Sequence, residues 1–177
     1  MQWTREQVVQ HLTPPPGIVM PPYPKERDRL YRRTLAAISL GFFANALFTY
    51  FKWPLAVVIA HGWIALSVFV ASMSFLVWIS SWRYLVRALA VVGLLLWPWW
   101  SLGSWAALLA STAIMAAKET HCFHFSAGRI LPWYSLALGI ALIAPVPPTL
   151  IAVGWLVLAG LWGWLAWARH RLPLFEI

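Results

Sequence analysis

The chain alternates long apolar blocks with short polar breaks. The blocks fall at about 34–51, 54–80, 86–102, 104–120, 130–146 and 149–168. Inside each, apolar residues run on without the alternation of a half-buried strand or the single stripe of a surface helix. Several blocks fall at or below the ~20 residues a helix needs to cross the hydrocarbon core of a bilayer. Lipid offers no partner to backbone N–H and C=O groups, so a spanning segment must be a helix or part of a closed barrel. These blocks are too long and too evenly apolar for barrel strands. The pattern predicts an all-α fold, a polytopic helical membrane protein with about six transmembrane helices.

Three parts follow along the chain. Residues 1–33 form a proline-rich and basic N-terminal segment, 34–168 the transmembrane helical domain and 169–177 a short tail. Thr4 and Gln7 have capping-box spacing ahead of Val8, Val9 and Leu12, which suggests a short helix near residues 4–12. Pro14-Pro15-Pro16 and Pro21-Pro22-Tyr23-Pro24 favour an extended conformation, read either as a docking strip or as a tether over the membrane surface. Asp28 and Arg32, four residues apart, can pair on a helix leading into the first span. Arg27, Arg29, Arg32 and Arg33, beside Lys25, suit anionic lipid headgroups. No cleavable signal peptide is expected, because the first apolar block lies behind this polar segment.

Charge orients the spans. With six crossings and a cytoplasmic N-terminus, Arg5, Lys25, Arg27, Arg29, Arg32, Arg33, Arg83, Arg87, Lys118, Arg129, Arg169 and Arg171 all fall on the cytoplasmic side, and Lys52 alone falls outside. Such a bias is what the positive-inside rule requires; merging blocks into four spans scrambles it. Both termini are therefore expected in the cytoplasm.

Composition agrees. Of 177 residues 62% are hydrophobic and 10% charged, against roughly a quarter charged in soluble domains. The net charge of +8 reads as a topology signal rather than a nucleic-acid footprint. A single cysteine excludes an internal disulfide. Trp53, Trp97, Trp99, Trp100 and Trp105 gather at the expected outer boundary, and Trp78, Trp82, Trp133, Trp164 and Trp167 at the inner one. Two aromatic belts account for them, pigment stacking being the other reading. Pro98 and Pro145-Val146-Pro147-Pro148 mark outer turns.

The chemistry gathers in Lys118-Glu119-Thr120-His121-Cys122-Phe123-His124-Phe125. If the fourth helix runs through Phe125, His121 and His124 share one face, and Glu119 and Cys122 roughly the opposite one. These ligands diverge, so they form no metal site by themselves. An acid at the edge of an apolar helix is costly unless paired. Glu119 is expected to pair with Arg83, Arg87 or Arg129, or to join a polar cluster binding a headgroup, a cofactor substituent or a proton. Lys118 reads as a snorkelling anchor or a member of that cluster. His61, inside the second span, is either an axial ligand to chlorophyll or haem or a hydrogen bond across helices. Asn45 reads as helix glue. No nucleophile-elbow serine, phosphate loop, HExxH or paired carboxylates occur in the sequence.

Lys118-Glu119-x-x-Cys122-Phe123, with a span opening near Leu131-Pro132 and Arg29-Leu30-x-Arg32-Arg33 entering the first span, resembles a domain-of-unknown-function family of integral membrane proteins from cyanobacteria and plants. The resemblance covers about residues 28–168. It implies a thylakoid or plasma membrane protein of an oxygenic phototroph and brings no established activity. His121 and His124 depart from the family pattern, which leaves Lys118, Glu119 and Cys122 as its shared positions.

Three functional readings follow. The first is a non-enzymatic accessory or assembly protein of a photosynthetic or other membrane complex, binding lipid or pigment through its helices. The second is a small transporter or channel with Glu119, Lys118 and His61 along a route. The third is a membrane enzyme using the Cys122 thiol.

Overall fold

The computed structural model describes residues 6, 7, 10, 24–75 and 80–172. The polyproline stretches, Trp78 and residues 173–177 lie outside them; Glu6, Gln7 and Gln10 have helical backbone. Six helices follow: α1 Lys25–Tyr50, α2 Pro54–Ser74, α3 Ser80–Leu96, α4 Ser101–Phe123, α5 Ser126–Ala141 and α6 Pro148–Arg171. No strand occurs among the described residues.

The helix ends follow from local chemistry. Glu26 and Asp28 lie in the first turn of α1, where carboxylates complement the helix dipole. Pro54 and Pro148 open α2 and α6, positions where the missing N–H costs nothing. At Leu96–Trp100 the apolar character continues but Pro98 does not permit a helix, so the third block, expected at 86–102, becomes a helix at 80–96 followed by a turn. The first and last boundaries also move. α1 is helical from Lys25, so the helix expected to lead into the first span is continuous with it, and α6 continues through Arg171, so the segment read as a tail from 169 begins inside a helix.

Each helix packs on its chain neighbours, α2 also meets α4, and α6 returns to pack on α1 in the most extensive helix pair. The ring is closed and largely antiparallel. Trp63 of α2 donates to the Ala37 carbonyl of α1 at 3.0 Å, Ser111 of α4 to the Val86 carbonyl of α3 at 3.1 Å, and Ser39 of α1 to the Ala159 carbonyl of α6 at 2.8 Å. α4 is the most enclosed helix; only Ser101, Leu102, Ala106, Ala117 and His121 of it are exposed. The up-and-down order brings the start of α1 and the ends of α2, α4 and α6 to one end of the bundle. Every described Lys and Arg lies toward that end except Lys52, in the α1–α2 turn.

The surface is apolar where a soluble bundle would be polar. Leu40, Phe43, Leu55, Ile59, Trp133, Leu136, Val153 and Leu156 are exposed, whereas Asn45, His61, Ser104, Ser111, Thr112 and Glu119 are buried. By length and composition two helices, α2 and α6, are long and apolar enough to cross a membrane. α3 and α5, with 17 and 16 residues, reach about 25 Å, short of the ~30 Å core. α1 and α4 have the length but each devotes an end to charge.

Most of the expected belt tryptophans are exposed. Trp105 is not: it is buried, stacked beside His61 with centroids 3.8 Å apart and beside Trp155 at 4.4 Å. Its position one turn into α4 turns it toward the core.

Candidate functional site

Glu119 continues the buried stripe of α4 that includes Leu108, Thr112 and Met115, so helical spacing carries a carboxylate into a core position. Asp28 occupies the matching stripe of α1 with Tyr31, Arg32 and Leu35. Arg169 ends the buried stripe of α6 after Trp162, Leu165 and Ala166. The ring closure of α6 on α1 brings these three stripes together at the cationic end.

Asp28 is fully buried and accepts on both oxygens. Arg32 Nε donates to Oδ2 at 2.7 Å, and Arg169 Nη2 to Oδ1 at 2.6 Å. Arg169 Nε lies 3.5 Å from Glu119 Oε2, an ion-pair distance without hydrogen-bond geometry. Lys118 Nζ donates to Glu119 Oε1 at 2.9 Å. Aromatic faces surround these cations: Lys118 Nζ is 5.0 Å from the Phe123 ring centre, 5.6 Å from Tyr31 and 5.7 Å from Phe75, and the Arg169 guanidinium sits 4.1 Å over Phe123. Arg32 also donates to the Leu172 carbonyl, fastening the end of α6. Removing a charge from water costs several kcal/mol, recovered only through close and complete pairing. The expected Asp28–Arg32 pair thus forms as one part of a larger cluster.

That cluster differs from the expected one. Glu119 pairs with Lys118 and Arg169, not with Arg83, Arg87 or Arg129. Arg87 instead approaches the Ser72 and Met73 carbonyls at 3.5 and 3.4 Å, where α2 ends and leaves acceptors open. Arg129 is exposed. Arg32, grouped above with the headgroup cations, is buried and turned inward; Arg27, Arg29 and Arg33 are exposed, and Arg29 pairs with Glu26 at 2.7 Å.

His121 and His124 do not share a helical face. α4 stops at Phe123, His124 takes a left-handed conformation at φ 53°, its N–H capping the Thr120 carbonyl, and Phe125 is extended. A non-glycine residue there costs about 1–2 kcal/mol, recovered by the cap and by the close packing of α5 that the turn permits. His121 points to the exposed side, and among the described residues no three His, Cys, Asp or Glu converge on a common point. Cys122 is half-buried in the last turn of α4, past the expected span of 104–120. Burial pushes its thiol above the usual value, and the nearby Lys118 charge opposes this.

His61 is separate from the cluster. Ser104 Oγ donates to the Gly93 carbonyl at 2.7 Å, so at its 2.8 Å contact with His61 Nε2 it accepts, and Nε2 carries the proton. The imidazole therefore makes the cross-helix bond, joining α2 to α4 and through Ser104 to α3. Axial ligation through Nε2 would require breaking it. Asn45 is buried, but its Oδ1 has no partner among the described residues.

Asp28 and Arg169 were not singled out as site residues from the sequence. One signal was there: both lie at helix ends assigned to the same side as Glu119. Neither the scan against protein-family models nor the searches of curated proteins and of solved structures found a match to this chain.

Proposed function

We propose that the chain is an integral membrane protein that crosses the bilayer six times with both termini in the cytoplasm, and that it serves as a non-enzymatic accessory or assembly subunit of a membrane complex. One observation carries the membrane part: the apolar exterior enclosing a polar and charged interior. In water such a surface would be a large aggregation liability, whereas in lipid it is the required one. The short α3 and α5 are accommodated by tilt or by local thinning of the bilayer.

The accessory role rests on what the buried groups do. Arg169 ties α6 to Asp28 of α1 and approaches Glu119 of α4, while Arg32 and Lys118 complete the pairing of those acids within their own helices, which suits a scaffold. The transport reading ranks second, because Lys118 and Glu119 are engaged with each other rather than open to a route. The thiol-enzyme reading ranks third, because burial favours the protonated form of Cys122. The resemblance around Lys118-Glu119-x-x-Cys122-Phe123 points to a thylakoid or plasma membrane of a phototroph, with lipid or pigment held between helices.

The test is affinity purification from native membranes, followed by an absorption spectrum and a protein inventory. The proposal expects stable co-purification with a membrane protein complex. A colourless monomer without a stable partner would oppose it, and loss of flux in liposomes on Glu119→Gln would favour transport instead.

A further inference from the structure

We propose that the corner where α6 leaves the bundle, formed by Trp167 and Arg171 with Arg33 of α1, holds the headgroup of an anionic lipid from the surrounding bilayer. This rests on the membrane reading above and adds the charge class and position of a bound lipid. Three observations lead to it.

First, the Arg171 guanidinium lies 3.8 Å over the Trp167 ring, and both residues are exposed. Stacking holds a long side chain in place while its in-plane N–H groups stay free for bidentate bonding to phosphate or sulfate oxygens. Second, the Asp28–Arg169 and Ser39–Ala159 bonds fix the register of α1 against α6. They set Arg33 about 9 Å below the level of Arg171 along the helix axes. Its Cα–Cβ bond leans toward the start of α1, so from that depth the side chain can snorkel toward the headgroup layer at the level of Arg171. Arg33 is exposed and has no ion pair among the described residues. Four neighbouring cations are committed elsewhere: Arg32, Arg169 and Lys118 to the buried carboxylates and Arg29 to Glu26. Third, the surface directly below the corner is apolar, with Leu40 and Phe43 on α1 and Val157 and Trp164 on α6. A ligand with an anionic head and acyl chains matches both levels; an acidic protein matches the upper one alone.

The full chain in a neutral detergent is titrated with phosphatidylglycerol and with phosphatidylcholine of the same chains, bound lipid being counted by native mass spectrometry. Phosphatidylglycerol is expected to bind more tightly. Arg33→Gln with Arg171→Gln should weaken it by about thirtyfold, from about 1 kcal/mol per cation, without changing phosphatidylcholine binding. Arg83→Gln with Arg129→Gln, at the same end, should leave it within about twofold on the same reasoning. Trp167→Leu, which frees Arg171, should weaken binding several-fold and serves if the double variant does not fold. Equal binding of the two lipids, equal loss in both double variants, or inorganic phosphate or polyglutamate binding as tightly as phosphatidylglycerol would overturn the proposal. A protein that stays soluble without detergent would instead overturn the membrane reading.

Discussion

Arg169 Nη2 donates to Asp28 Oδ1 at 2.6 Å, so the last helix is fastened to the first through a bond with essentially no exposure to water. The same guanidinium reaches toward Glu119 of the central α4, which makes Arg169 the residue common to three helices. Packing of α6 is thus required before the acids of α1 and α4 are fully paired.

Charge balance within this cluster ranks its variants. Asp28→Asn leaves three buried cations among the described members facing one carboxylate, and is expected to cost about 3–5 kcal/mol. Arg169→Met removes a cation while Arg32 and Lys118 still pair the two acids, so it should cost less. Thermal unfolding in detergent measures both. The reverse order would show that the cluster is held by packing and not by charge.

At Gly128 the backbone of α5 lies directly against that of α4. A Cβ there would sit 2.6 Å from the Ala116 carbonyl oxygen and closer still to Thr120 Oγ1. Because a helix backbone cannot step aside, Gly128→Ala should destabilise by at least about 1–3 kcal/mol. Gly160, which has nothing within 4 Å, is the control; its change to Ala should be neutral or slightly stabilising. Melting temperatures of the two variants decide the point.

Cys122 should react slowly. Its thiol is raised by burial, so the thiolate fraction at neutral pH is below that of an ordinary cysteine. Maleimide labelling of the folded protein should accelerate as pH rises toward the alkaline range. Lys118→Met removes the charge that opposes the rise and should slow labelling further. Faster labelling in that variant would contradict the assignment.

Much of the fold could be read from the chain because each apolar block is bounded by proline or charge, features that act locally. Where a helix end depends on packing, the reading slipped. Ser126, Ala127, Gly128 and Arg129 precede the apolar block expected from 130, yet they open α5, where Gly128 lets it press on Thr120. The motif was visible as a concentration of unusual residues, and Asp28–Arg32 as a spacing. The cross-helix partner of Glu119 was not, since Arg83, Arg87, Arg129 and Arg169 all belong to the same end and only ring closure selects the last. Trp105 likewise has the composition of a belt residue; its burial beside His61 follows from the direction in which α4 turns it.

The most direct test of the membrane arrangement uses single cysteines on a Cys122→Ser background, one replacing Lys52 and one replacing Arg129, probed with a membrane-impermeant maleimide in sealed vesicles of known orientation. The account predicts labelling from opposite sides, with position 129 on the side of the N-terminus. Labelling of both positions from the same side would contradict it.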